Sequence, residues 1–298
     1  MKGIAIEGAG TLLTGASSGI GRATALELAR RGARLAVLAR RRELLESLAD
    51  EMVASGCNRP ALVVADLSVR GVAHDVAARA REALGDVDIL VNNAGGGVGG
   101  AIWAVGDADA GREAFEVNYW SPLALVEEFL PEMRARGRGA VVNVTSLAQV
   151  TAWPGFGAYA ATKAAFALAT RTLRTEAHGS GVHVIEVIPG AVDTPVQGET
   201  RLLPGIERML DLGRLGDPAV LAASIADAVE RGRSRVVYPG RGRFVMSLPG
   251  IARRYTHRLA VRSGAHDAEL LGSVVRSGSM GDPMARNARE AWERARAR

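Results

Sequence analysis

The chain has 298 residues, 48% of them apolar and only 4% aromatic, which allows one large core or two small ones built from Ala, Val, Leu and Ile. Its net charge of +5 is unevenly spread: residues 252–298 hold ten Arg and five acids, and the remainder holds 27 basic and 27 acidic side chains. That balance, the few aromatics and the lack of any recognised nucleic-acid module exclude a nucleic-acid binder.

The single cysteine, Cys57, rules out an internal disulfide and favours a reducing, cytoplasmic compartment. No secretory leader is legible in residues 1–10, and no apolar run is long enough to span a bilayer. The five His residues are scattered without ligand spacing, so no metal site is expected.

Residues 10–14 (GTLLT) predict a short strand, followed by Gly15, Ser17, Ser18, Gly19, Ile20 and Gly21 and then an Ala-rich helix. Strand, glycine loop and helix make a dinucleotide-binding opening. Gly15 permits the turn, Gly19 lets the backbone approach a pyrophosphate, and Gly21 lets the helix pack on the strand; exposed N–H groups then meet the negative charge. A plain glycine turn is the alternative. A second strand over 34–39 runs straight into Arg40, Arg41 and Arg42. An acid there would bind a ribose 2′-OH; cations suit a 2′-phosphate instead, with Ser17 adding a hydroxyl, so NADP(H) is favoured and NAD(H) is the alternative.

A helix over 43–55 leads to a third strand at 60–65, ending at Asp66 and Leu67. Asp66 can bond an adenine amino group or cap the helix after Ser68, and both readings stand. A helix at 72–84 and a strand at 87–91 follow, then Asn92, Asn93, Ala94 and Gly95. The asparagines can tie adjacent strands, and the small pair lets a flat cofactor lie close. Residues 107–119 and 121–136 read as one long helical stretch interrupted at Pro122. Asn118 within it is either part of a solvated face or part of a kinked turn exposing a carbonyl to a water.

The apolar strand 140–144 ends near Ser146, whose hydroxyl falls where ligands bind in open α/β sheets. Tyr159 and Lys163 stand four apart in an Ala-rich run and so share one helix face. An adjacent ammonium favours the phenolate, so Tyr159 is expected to ionise more easily than a free tyrosine and to move protons near neutral pH. A solvated helix face is the alternative. A strand over 181–188 ends at Pro189 and Gly190, with Val192, Thr194 and Pro195 beyond. A helix at 199–212 is expected over the cleft. Asp217 and Pro218 open another helix, and 235–238 is a last strand. β and α elements alternate from residue 10 to 188, which predicts a parallel sheet covered on both faces.

TGASSGIG at 14–21, Asp66, NNAG at 92–95, Asn118, Ser146, Tyr159 with Lys163, and Pro189–Gly190 fall in order at fitting distances. This set resembles the short-chain dehydrogenase/reductase family over residues 10–240. The resemblance implies a single-domain α/β doubly wound parallel sheet of Rossmann type over 1–240; it does not cover the tail, whose own residues read as a basic helical extension at 241–298. It implies a tetrad of Asn118, Ser146, Tyr159 and Lys163. Tyr159 is then the general acid or base, Ser146 bonds the substrate oxygen, and Lys163 binds the nicotinamide ribose and lowers the Tyr159 pKa. Asn118 holds a relay water, and Thr194 bonds the nicotinamide carboxamide. Family members are often dimers or tetramers through two long helices, here 107–136 and 157–178, so a homo-oligomer is expected. The basic residue that some NADP-preferring members carry in the glycine loop is absent; Ser18 stands there.

Three functions compete. The first is an NADP(H)-dependent alcohol dehydrogenase or ketone reductase, its apolar substrate pocket lined by Ala148, Val150, Trp153, Phe156, Val196, Leu202, Leu203, Ile206 and Leu210. The second is a catalytically idle nucleotide-binding sensor or scaffold, which predicts a damaged tetrad. The third lays Arg253, Arg254, Arg258 and Arg262 on an anionic membrane surface, against the preferred reading of a solvated basic helix.

Overall fold

The computed structural model describes residues 3–262, apart from 98, 106–108 and 196–214. The expected helix at 199–212, the lining residues Val196, Leu202, Leu203, Ile206 and Leu210, and the tail beyond 262 lie outside the described residues.

Seven strands form one parallel sheet: β1 (Gly10–Thr14), β2 (Arg34–Ala39), β3 (Ala61–Val64), β4 (Ile89–Asn92), β5 (Gly139–Val144), β6 (Val182–Pro189) and β7 (Arg235–Tyr238). Their order is β3-β2-β1-β4-β5-β6-β7, so the winding reverses between β1 and β4. In such sheets ligands bind beyond the strand C-termini at that reversal.

The strands read as unbroken apolar runs because helices cover both faces. Alternate side chains enter opposite layers. Leu13, Val91 and Val142 pack with residues of α1 (Gly19–Arg30), α2 (Arg42–Ala54) and α8 (Pro218–Arg231). Leu12, Leu90 and Val141 pack with residues of α3 (Val72–Leu84) and α6 (Ser121–Ala135). Short helices α4 (Ile102–Val105) and α5 (Asp109–Phe115) follow β4, and α7 (Gly157–Glu176) follows β5. The start of α8 is as expected: Asp217 Oδ1 accepts from Ala219 N at 2.7 Å, with Pro218 in the first turn.

The interruption expected at Pro122 takes the form of a widened turn directly ahead of it. Between α5 and α6 the chain makes a π-turn, Glu116–Trp120, in which Ser121 N reaches back five residues to Glu116 O. Pro122 follows within the same unbroken helical run, Trp120 and Ser121 both being helical, so its missing N–H leaves a carbonyl of the preceding turn without its helix partner. The turn widens the helix at Asn118, and such single π-turns are frequent at functional sites.

Packing of α1 on β1 leaves no room at Gly21: a Cβ there would lie 2.1 Å from Gly15 O. Gly21→Ala is therefore expected to lower unfolding stability by about 2–4 kcal/mol, read from urea unfolding followed by circular dichroism.

Candidate active site

The end of β1 and the end of β4 are clipped together by two side chains. Thr14 Oγ1 donates to Val91 O at 3.3 Å and accepts from Asn93 N and Ala94 N, each at 3.0 Å. Asn93 Nδ2 donates to Thr14 O at 3.0 Å and Gly15 O at 3.2 Å. Gly15 then turns with φ +71°, and a Cβ there would meet Ala94 Cα at 2.8 Å. Gly19 opens α1 with φ +54°, and a Cβ there would touch the Thr194 side chain at 3.1 Å. Gly15, Gly19, Ala94 and Thr194 thus come together around the first turn of α1. Ser18 precedes that turn and its hydroxyl makes no capping bond, while Ser17 is half-buried and Ile20 packs on the core.

Asn92 goes elsewhere. Strand alternation turns it into the interior, 2% exposed, where Nδ2 donates to Asn143 Oδ1 at 3.0 Å and Pro122 O at 3.3 Å. Asn93 and Thr14, absent from the expected binding set, are the residues that shape the loop. The alternation of two adjacent asparagines at a strand end was the available signal.

At the end of β2, Arg40 and Arg41 are exposed. Asp66 Oδ1 accepts from Ser68 N at 3.0 Å and Ser68 Oγ at 2.8 Å, and its Oδ2 lies 3.8 Å from Arg40. The carboxylate therefore closes its own turn and does not cap α3, whose N-cap is Gly71. Leu67 is buried, and its carbonyl accepts from Ser121 Oγ at 2.7 Å.

The four expected catalytic residues lie on three elements. Ser146 caps the 3₁₀ turn Leu147–Val150, its Oγ accepting from Ala148 N at 3.1 Å. Tyr159 sits in the first turn of α7, and the Ser146 side chain is near enough to its hydroxyl to favour the phenolate. Lys163, one turn on, is 3% exposed; Nζ donates to Val144 O at 3.1 Å and lies 5.8 Å from the Tyr159 ring centre. Asn118, 1% exposed in the π-turn, holds Gly96 from both sides: Nδ2 donates to Gly96 O at 2.6 Å and Oδ1 accepts from Gly96 N at 3.2 Å. A Cβ on Gly95 would stand 2.9 Å from Asn118 Oδ1 and 3.3 Å from Lys163 Nζ. Gly95 is thus the point on which the amide and the ammonium converge. Buried polar side chains set the register of α7: Asn143 Nδ2 donates to Thr170 Oγ1 at 3.0 Å, and Asn92 holds Asn143.

Beyond β6, Gly190 N donates to Tyr238 O at 2.7 Å, and Val192 forms a parallel bridge with Gly216. Pro189 is the last residue of β6, and a Cβ on Gly190 would meet Leu147 at 2.7 Å. This loop therefore runs beside the Ser146 turn before Thr194 reaches Gly19.

The titration behaviour corrects one expectation. Burial pushes the Tyr159 phenol above its ordinary value, and the nearby Ser146 side chain offsets only part of that. The same desolvation drops the Lys163 ammonium to about 8. The neighbouring cation was expected to lower the phenol; in this site loss of water outweighs it, and Nζ is turned to the Val144 carbonyl.

Residues 10–203 match the family model described as short chain dehydrogenase. The chain belongs to that family. A 1-deoxy-11-beta-hydroxypentalenate dehydrogenase of Streptomyces exfoliatus is 37% identical over 222 residues, covering 73% of this chain and 77% of the relative. A crystal structure of a metagenomic short-chain oxidoreductase in complex with NADP superposes with a TM-score of 0.66, at 28% identity over 78% of this chain and 98% of that one. A short-chain dehydrogenase/reductase from Burkholderia phymatum in complex with NAD gives 0.72, at 27% identity over 84% and 97%. As a short-chain dehydrogenase the chain is an oxidoreductase, and the seven-stranded sheet agrees with those structures.

The depressed Lys163 carries a stability cost with a defined pH window. Below about pH 8 the folded chain must hold a buried charge that the unfolded chain keeps in water. Between about 8 and the ordinary lysine value the unfolded state binds more protons, so stability rises with pH. Lys163→Met is expected to stabilise the protein by about 2–3 kcal/mol at pH 7, and the gain should fade towards pH 10.5. Paired urea titrations of parent and variant at several pH values check both the sign and the window.

Proposed function

We propose that the protein transfers a hydride between NADP(H) and an apolar ketone or secondary alcohol, with Tyr159 as general acid and base. The observation that carries this is the convergence of Asn118 and a buried Lys163 on Gly95, one helical turn from Tyr159, with Ser146 near the phenol and the glycine cradle alongside. When bound, the nicotinamide dinucleotide supplies or accepts the hydride.

The residues present fit that group. The cradle at Gly15, Gly19 and Gly95 would be filled by any Cβ, and the N–H groups at the start of α1 suit a pyrophosphate. Lys163 would hold the nicotinamide ribose, Thr194 the carboxamide, and Arg40 with Arg41 a 2′-phosphate. The related structures hold NADP in one case and NAD in another. The exposed cations after β2, with no acid at the strand end, favour NADP(H).

Ser146 and Tyr159 present two hydroxyls to one substrate oxygen. In reduction Tyr159 gives its proton to the oxygen as it becomes an alkoxide, and in oxidation it takes the proton back. Lys163 stabilises the phenolate that remains. Asn118, beside Lys163 at Gly95, would hold a water through which the phenolate recovers a proton.

An apolar substrate is supported by the surroundings of Tyr159. The Phe156 ring lies 4.5 Å from it, centre to centre, and Trp153 is buried just ahead in the chain. Ile102 approaches Gly157, and with Trp103 it stands about three-fifths exposed. The relative from Streptomyces exfoliatus is named for oxidising a hydroxyl-bearing substrate, which supports an alcohol or its ketone. The same reading takes the chain as a homo-oligomer through α6 and α7, next to which Trp120 and Leu168 are exposed.

Tyr159→Phe is expected to cut kcat about 10²–10⁴-fold while NADPH affinity, read by cofactor fluorescence, stays unchanged; retained turnover over a ketone panel would remove the proton role. A protein that binds NADPH but turns over none of the panel would be the idle sensor instead. Arg40→Asp is expected to weaken NADPH binding at least about tenfold and leave NADH binding equal or better. Unaltered discrimination would place the phosphate contact on other residues.

A further inference from the structure

After β7 come two helices, Gly242–Ser247 and Pro249–Arg262. They stand against the Ser146 turn: a Cβ on Gly242 would lie 2.8 Å from Leu147. Residues 239–262 contain Arg241, Arg243, Arg253, Arg254, Arg258 and Arg262 and no Asp or Glu. The rest of the chain has 31 basic and 32 acidic side chains, so this short segment accounts for the whole positive excess.

The segment is also where apolar side chains face outwards. Among the described residues twelve large apolar side chains are exposed, and five of them fall here: Phe244, Leu248, Ile251, Tyr255 and Val261. Phe244 is 65% exposed and Ile251 56%. The second helix buries only Thr256 and Ala260. A solvated basic helix, the preferred reading from sequence, has no use for that much outward apolar surface.

We propose that this surface docks on an anionic lipid bilayer, with Phe244, Leu248, Ile251 and Tyr255 entering the interface and the arginines on lipid phosphates. Charge complementarity selects the occupant: six cations with no acid among them face a negative surface best. The interleaving of apolar and cationic side chains selects a bilayer over an acidic protein. Arginine stems lie along acyl chains while their heads reach the phosphates, whereas a protein partner would have to desolvate each cation against a fixed carboxylate. No described helix is long and apolar enough to cross the membrane, so the contact is peripheral. If the proposed reaction holds, docking brings the cleft beside Ser146 to a phase in which apolar substrates dissolve; the docking itself does not depend on that reaction.

The test is sedimentation of the full chain with vesicles of phosphatidylcholine alone and of phosphatidylcholine mixed with phosphatidylglycerol. The chain is expected to pellet with the mixed vesicles and stay in solution with the neutral ones. Each of Arg253→Ala and Arg254→Ala should weaken binding about fivefold. Phe244→Ser combined with Ile251→Ser should lower the bound fraction at unchanged charge. Circular dichroism and NADPH fluorescence confirm that these surface variants fold. No pelleting with anionic vesicles overturns the proposal, as an acidic protein partner would require. So does a Phe244→Ser, Ile251→Ser variant that binds as well as its parent, because a purely electrostatic contact leaves the apolar residues unexplained. Neither outcome is read from turnover.

Discussion

A lysine ammonium that is 3% exposed has to be held in place against the pull of water, and the C-terminal edge of the sheet is arranged to hold Lys163. Each part of the arrangement comes from a different element. β5 ends where the Val144 carbonyl is free to accept from Nζ. The loop after β4 has glycine at 95, so no side chain occupies the ground in front of the ammonium. The π-turn brings the Asn118 amide to the same place. Helix α7, which carries Lys163, is locked in rotation by Thr170 against Asn143 and Asn92 inside the sheet. A change in any one of these would leave a charge without water and without a partner, which is the expensive state. The site is therefore rigid for electrostatic reasons before any catalytic reason is considered.

The second constraint is the meeting of the loops after β1 and β4. These strands are neighbours at the reversal of winding, so their C-terminal ends open on a shared crevice. Thr14 and Asn93 close the near side of that crevice with five bonds, each to a backbone group. With those backbone groups already satisfied, the N–H groups left at the start of α1 face outwards. Gly15 and Gly21 are consequences of the same closeness: the loop, the β4 end and the helix approach within distances that exclude a Cβ. A nucleotide-shaped recess follows from strand order plus small residues, with no side chain devoted to forming it.

Most of this was legible in the residues because the fold buries both sheet faces. Double burial makes each strand a plain apolar run, and the glycine loop, Asp217 with Pro218, and the Tyr159–Lys163 spacing mark element starts with their own chemistry. Three features were not fully legible. The π-turn was only half legible: Pro122 marks an interruption of the helical run, but not whether the turn before it kinks or widens. The assignment of Asn92 and Asn93 to opposite sides needed the register of β4, which spacing alone leaves open by one residue. The direction of the Tyr159 shift needed burial: sequence shows who the neighbours are but not how much water remains between them.

That last distinction bears on how the site can work. Desolvation acts on both members of the pair, raising the neutral acid Tyr159 and lowering the cationic acid Lys163, so their proton affinities cross and separate, and the phenol becomes the weaker acid of the two. At neutral pH the phenol keeps its proton, and under the proposed reaction that proton is the one it would give. An acid in that state is ready to protonate an oxygen that gains negative charge during reaction, and the charge it leaves behind is created one turn from an ammonium. Under the proposed reaction the phenolate would be costly in the resting site and less costly once it faced Lys163 in the transition state, which is the differential stabilisation catalysis requires. A phenol ionised at rest would have spent that interaction before the substrate arrived.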